Sequence, residues 1–436
     1  MHLPQAFTIR QQALLKDEWP FFEQALQEEP PVSIRWNPAK EPSPHPFEWN
    51  EKVPWASNAC YLPSRPSFTL DPLFHAGCYY VQEASSMYLE QIVKKHIFQP
   101  VKTLDLCAAP GGKSTQLASV LPKGSLLVAN EVIRSRASVL AENGIKWGYP
   151  YTLITNNDPV DIGQLNGFFD VIVADVPCSG EGMFRKDPAA LKEWSLNHVR
   201  LCSERQKRIL ADSWPALNPG GLLIYSTCTY NREENEENIE WICRELGGEL
   251  MEEPHRFMPH QTKGEGFFIA TVRKTGGAPS NRKPDFKAAK TPIFAERIFA
   301  DWKDKLLHPE QFTIFSEQNH TTAFPTEYMV ECLFLRKYLK IISAGIRLGE
   351  QKGKDWIPAH ELAMSTQLAI DAFPIWEVDK ATALRYLRKE ALLDIPAGLP
   401  KGHILVSYCR HPLGFVKNIG SRANNLYPQE WRIRLQ

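Results

Sequence analysis

The sequence predicts an α/β protein organised around an open, doubly wound parallel sheet. A small N-terminal α+β domain precedes that sheet, and C-terminal α+β and β-rich modules follow it. Three observations carry this. Between Val101 and Arg273, short apolar runs alternate with stretches of helical spacing. Residues 1 to about 80 instead mix one helical piece with a segment rich in proline and tryptophan. Beyond Arg273, the run TGGAPSNRKPDFKAAKTP (Thr275–Pro292) has the glycine, proline and lysine content of a linker, and the chain ends in short strands punctuated by glycine turns. The expected domains are 1–80, 81–274, 293–361 and 362–436, with 275–292 as linker.

In chain order, Phe7 to Leu26 reads as one amphipathic helix, SIRWNPAK as a strand and turn, and Ala84–Lys94 as a helix leading into the first sheet strand at Val101. Strands are expected at Ser125–Asn130, Thr152–Asn156, Asp170–Ala174 and Gly221–Ser226, with Gly266–Arg273 as a late strand completing the sheet. Helices are expected at Arg134–Trp147, Val199–Leu217 and Asn231–Leu246, the last beginning with an acidic turn favourable to the helix dipole.

Composition sets further bounds. A chain of 436 residues, 43% hydrophobic and 23% charged, fits a soluble protein of about three domains. It contains no apolar run long enough to span a bilayer, and MHLPQAFTIRQQALLKDEW lacks the regions of a signal peptide, so a cytoplasmic location is expected. Nine cysteines, without a C-x-x-C pair or a Cys/His cluster at zinc spacing, argue against a disulfide framework or a metal site. Lysine plus arginine balance aspartate plus glutamate at 50 each, yet bases cluster locally. Arg273, Lys274, Arg282, Lys283, Lys287 and Lys290 face only Asp285, and Lys401, Arg410, Lys417, Arg422, Arg432 and Arg434 face Glu430. Such patches are compatible with RNA binding and equally with solvated loops.

The chemistry gathers at strand ends. VKTLDLCAAPGGKSTQLASV is a strand, a tight turn through Cys107, Ala108, Ala109, Pro110, Gly111 and Gly112, and a helix from Lys113 whose first N–H groups are free for a ligand. The turn is not a P-loop, because Cys107 stands where that motif requires glycine, and no G-x-G-x-x-G is present. What remains resembles the cofactor loop of a methyltransferase dependent on S-adenosylmethionine. Glu131, after the second strand, can accept hydrogen bonds from ribose hydroxyls. Asp158, after the third, can accept one from an adenine amine. Either residue taken alone is more often a helix cap. FDVIVADVPCSGEGMFRKDP then delivers Asp175 and Cys178, and LLIYSTCTYNREENEEN delivers Cys228. Most buried cysteines are inert. These two stand in polar turns at the rim expected to hold a ligand.

DLCAAPGGKS, ADVPCSGEG with FRKDP, and YSTCTYNREENE together resemble the motifs of the Nol/Nop/Sun family of RNA cytosine-C5 methyltransferases, and HPLGFVKNIGSRANNLYP is similar to the tail of its RsmF-type branch. The likeness is strongest over residues 101–273. Ser114 and Val176 depart from the residues most frequent at their positions, away from any reacting group. The resemblance implies a Rossmann-like class I methyltransferase domain, S-adenosylmethionine as cofactor, and a PUA-like RNA-binding module over 362–436. It implies that Cys228 attacks C6 of cytosine, that Cys178 assists elimination, and that Asp175 binds the N3/N4 edge. Cys107 to Lys113, Glu131, Asp158 and Asp175 would contact the cofactor, and Lys113 would lower the nucleophile's pKa. The implied partner is 16S ribosomal RNA or the small ribosomal subunit, with no metal and no membrane. A vestigial RNA-binding assembly factor and a transfer-RNA methyltransferase are the alternatives.

Overall fold

The computed structural model describes residues 2–49, 51–276, 302–317, 319–353, 355–393 and 395–435. The linker expected at 275–292 lies almost wholly outside the described residues, as does most of its basic cluster. Among the described residues no helix is long and apolar enough to cross a membrane.

The centre is a nine-stranded sheet whose parallel strands are β5 (Lys102–Asp105), β6 (Leu126–Asn130), β7 (Thr152–Thr155), β8 (Phe169–Asp175) and β9 (Leu217–Thr227). Their spatial order is β7-β6-β5-β8-β9. The order therefore reverses at β5, between β6 and β8, and opens a crevice at the carboxyl ends of the strands. Most residues of these strands are buried because helices cover both faces, and β6 is buried throughout. Strand β12 (Phe267–Lys274) pairs antiparallel with β9, and β10 (Gly248–Leu250) and β11 (His255–Phe257) pair with β12.

The sheet is not complete at Arg273, as the sequence pattern implied. Strand β15 (Ile341–Ala344) pairs antiparallel with β7 and closes that edge. The helix Met329–Tyr338 packs with it, placing Met329, Cys332 and Leu335 in the same core as Leu165, Phe168 and Ile172. An uncovered β7 would expose a row of backbone N–H and C=O groups. A four-residue strand far along the chain leaves little trace in a pattern read locally.

The expected helix Phe7–Leu26 is two helices, Gln5–Leu15 and Trp19–Ala25, joined by a 3-10 turn. Pro20, which has no N–H to donate, sits at the start of the second. Phe7 and Phe22 are fully buried against Phe184, Trp194 and Tyr230, beneath the loops that carry the two motif cysteines. The strands β1 (Val32–Trp36), β2 (Glu51–Lys52), β3 (Ala59–Leu62) and β4 (Tyr79–Val81) form a separate antiparallel sheet.

Among the described residues two smaller sheets follow: β13 (Phe312–Glu317), β14 (His320–Pro325), β16 (Ile346–Lys352) and β17 (Asp355–Pro358), then β18 (Ile375–Glu377), β19 (Gly402–Tyr408), β20 (His411–Asn418) and β21 (Ala423–Asn425). The last of these shares a core with the N-terminal sheet. Ile34, Trp36 and Tyr79 pack with Trp376, Tyr386 and Val416. The two ends of the chain thus bury one another's apolar faces.

Candidate active site

The rim of the crevice is built from the turns after β5, β6, β7, β8 and β9. In the first, Leu106 N–H extends the ladder to Val173 O at 2.9 Å, and Ala108 N–H donates to Asn130 O at 2.8 Å. Gly111, at φ 116°, occupies the left-handed region and caps the helix Gly112–Val120, a backbone geometry that favours glycine. Arg136 and Asn143 donate to the carbonyls of Ala109 and Pro110, each at 2.8 Å. Arg35, from β1, is buried and reaches across to Gly112 O at 3.2 Å and Thr115 Oγ1 at 2.6 Å. The N-terminal sheet therefore braces the cofactor loop, a contact no local motif announces.

Asp105, the last residue of β5, is fully buried. Its Oδ2 accepts from Ser114 Oγ at 2.6 Å, whereas Oδ1 has no partner. Burial raises its pKa to about 7, and neighbouring Asp175 and Glu131 push the same way. A lone buried carboxylate oxygen beside a glycine turn and a helix N-terminus fits a ligand carrying both a cation and a carboxylate, as S-adenosylmethionine does. Sequence reasoning missed this residue, although an acid directly before the turn was a signal that could have found it.

Glu131 is 3% exposed; Oε1 accepts from Ile133 N–H at 2.9 Å, and Oε2 lies 3.4 Å from Arg136. Asp158 is exposed and caps the short helix Pro159–Gly163 through a capping box with Asp161. The capping reading thus holds for Asp158, whose carboxylate already accepts from Val160 N–H at 3.2 Å. Val132, Ile133 and Val160, beside these two acids, keep about half of their surface in solvent (52%, 49% and 54%).

The register of β8 on β9 sets Asp175 opposite Ser226, whose Oγ donates to Asp175 Oδ1 at 2.8 Å. Lys113 Nζ lies 2.9 Å from Asp175 Oδ2 and 5.0 Å from the centre of the Phe267 ring. Asp175, Asp105 and Cys228 together hold the Lys113 ammonium above its ordinary pKa against the cost of burial. The two sulfurs, Cys178 Sγ and Cys228 Sγ, are 3.1 Å apart. The contact with Cys228, with burial, pushes the Cys178 thiol up. Cys107 is pushed up by burial and by Asp105, Asp175 and Glu131.

Three family models match this chain: the 16S rRNA methyltransferase RsmB/F over residues 98–273, the N-terminal domain of 16S rRNA methyltransferase RsmF over 3–84, and the methyltransferase RsmF PUA domain over 373–433. Ribosomal RNA small subunit methyltransferase F of Pectobacterium atrosepticum is 31% identical over 426 residues, covering 88% of this chain and 85% of the relative. The chain belongs to the RsmF family. The namesake from Salmonella agona is 32% identical over 419 residues, with the same coverage. Among solved structures, a methyltransferase homolog from Pyrococcus horikoshii is 28% identical with a TM-score of 0.51, covering 59% of this chain and 90% of that one. NSun6 from Pyrococcus horikoshii, solved with SFG, shares the fold at 20% identity and a TM-score of 0.55, covering 63% of this chain and 99% of that one. An RsmF-type enzyme takes its methyl group from S-adenosylmethionine and delivers it to C5 of a cytosine in RNA. The reading as a vestigial assembly factor is not favoured.

Proposed function

We propose that this chain methylates C5 of cytosine in 16S ribosomal RNA, in the cytoplasm, with Cys228 as nucleophile, Cys178 as the base that resolves the adduct, and Asp175 as the base-reading acid. The observation that carries this is the pair of sulfurs at 3.1 Å beside an aspartate fixed by Lys113 and Ser226.

S-adenosylmethionine, when bound, supplies an electrophilic methyl group. Residues Cys107 to Lys113, with Asp105, would hold its amino-acid end, Glu131 its ribose and Asp158 its adenine, and Val132, Ile133 and Val160 would offer apolar contact to the ring. Asp175 accepts from the N4 amine of cytosine; uracil carries a carbonyl there and would leave Asp175 facing an acceptor. The thiolate of Cys228 adds to C6, which turns C5 into an enamine carbon able to take the methyl. The Cys178 thiolate then removes the C5 proton, the C6–S bond breaks, and its electrons return to Cys228. The target base must leave its stack, so unpaired or flipped-out RNA is the substrate.

Bisulfite sequencing of total RNA from a deletion strain tests the assignment. Loss of a 5-methylcytosine in 16S rRNA, restored by the wild-type gene and not by a Cys228→Ala gene, is expected. Loss confined to transfer RNA overturns the substrate.

A further inference from the structure

The sequence places a glutamate three residues after Cys178 and another six after Cys228, and neither has a role in the chemistry above. In the structure each reaches into the other cysteine's loop. Glu181, 1% exposed, turns Oε2 toward the Cys228 loop and accepts from Thr229 Oγ1 at 2.7 Å, Tyr230 N–H at 2.9 Å and Asn231 N–H at 2.9 Å. Its Oε1 accepts from Trp194 Nε1 at 3.0 Å. Glu234, fully buried, turns Oε2 the opposite way and accepts from Ser179 N–H at 2.9 Å, the residue beside Cys178. Gln206 Nε2 and Asn231 Nδ2 complete its shell, each at 2.7 Å. Two direct links close the gap between the loops. Gly182 N–H donates to Cys228 O at 2.9 Å, and Ser179 Oγ meets Thr229 Oγ1 at 3.0 Å. A side chain at Gly182 would meet Cys228 O at 2.9 Å and Gly266 O at 2.6 Å, so glycine lets the loops approach this closely.

We propose that Glu181 and Glu234 are positioning residues forming a reciprocal clasp, which holds the Cys178 sulfur where it reaches the C5 proton of a base bonded to Cys228. This rests on the assignment of the two cysteines given above. C5 and C6 are bonded ring atoms, so two sulfurs serving them must stay within a few ångströms of each other while one is covalently engaged. Each loop alone is a short polar turn with no regular ladder to fix it. The clasp replaces the ladder with backbone N–H groups converging on buried carboxylates, hydrogen bonds about twice as strong as neutral ones. Glutamine in place of either glutamate turns an N–H₂ toward an N–H donor. The loops then separate while the cofactor turn after β5 is untouched.

The test is single-turnover kinetics on RNA substrate with Glu234→Gln and Glu181→Gln, read on denaturing gels with labelled methyl donor. A misplacement of about 1 Å costs up to roughly 100-fold in rate. Resolution is therefore expected to slow by about ten- to 100-fold, so that methylated, denaturation-resistant conjugate accumulates. S-adenosylhomocysteine affinity should stay within about two-fold, and KM for RNA should change less than kcat. Thr229→Val, which removes one donor to Glu181 at nearly constant volume, should show the same accumulation more weakly, and it serves if the glutamine variants do not fold. Cys178→Ala is run alongside. If it traps conjugate and the folded clasp variants do not, the clasp proposal is overturned and the cysteine roles stand. If Cys178→Ala traps none, the cysteine roles fall first and the clasp with them. Equal loss of conjugate and product in the clasp variants overturns the positioning role.

Discussion

The Cys178 and Cys228 sulfurs lie 3.1 Å apart, although fifty residues separate them in the chain. Their parent strands, β8 and β9, are parallel neighbours, so both turns emerge at the same rim. The pair predicts an asymmetry between substitutions. Cys228→Ala or Cys228→Ser should abolish both conjugate and methylation, whereas Cys178→Ala should trap methylated RNA on the protein. A denaturing gel reads both. Conjugate that survives loss of Cys228 and vanishes with Cys178 would exchange the roles.

Cofactor affinity should depend on acids from different strands. Calorimetry is expected to give about one S-adenosylhomocysteine per chain, with Glu131→Ala weakening it about ten-fold, the value of one lost charge-assisted hydrogen bond. Asp105→Asn should weaken it comparably, because Asp105 Oδ1 has no protein partner. Asp158→Ala should do less, since that carboxylate already serves its own helix. Tight ATP binding without response to the adenosyl ligands would overturn the cofactor reading.

The shared core of the two chain ends changes how RNA binding must be tested. Deleting residues from Leu362 onward would uncover Ile34, Trp36 and Tyr79, so the truncated chain is expected to melt at lower temperature as well as bind RNA poorly. Charge removal avoids this. Lys401 and Arg422 are exposed, and the double glutamine variant should keep its melting temperature while RNA affinity falls and the salt slope drops by roughly one for each phosphate left unneutralised. An unchanged slope would make the patch a solvated face.

That core should also respond to acid. His75 and His360 are buried, and burial, with Lys146 nearby, lowers the pKa of each to about 3; Lys40 adds to the effect at His360. The unfolded chain protonates them near pH 6.5 while the folded one does not. Their contribution is therefore whole above about pH 6.5 and is lost as pH falls toward 3. Neither ring nitrogen of His360 has a partner. His360→Leu should consequently cost little at pH 7.5 and flatten the fall in melting temperature between pH 6.5 and 4. A slope identical to wild type would exclude His360 as its source.

Much of this was legible in the chain itself. The runs ending in Asp105, Asn130, Thr155, Asp175 and Thr227 are strands because a doubly covered sheet buries most of their residues, and parallel strands put every following turn on one rim. Cys107 to Lys113, Asp175, Cys178 and Cys228 could be named from that geometry and from their motifs. The acidic turn expected at Asn231 is different in kind. The helix begins at Glu236, and Glu234 is a buried acceptor rather than a solvated dipole partner. What distinguishes Glu234 from Glu233 and Glu237 is the N–H of Ser179, a residue far away in sequence that only the paired loops bring near. The same holds for Arg35 on the cofactor helix and β15 on the edge of β7. Sequence determined the elements and the residues at their ends, because backbone periodicity and turn chemistry are local. Tertiary structure decided which buried polar groups meet, because a carboxylate or guanidinium taken from water finds its partners wherever the packed chain supplies them.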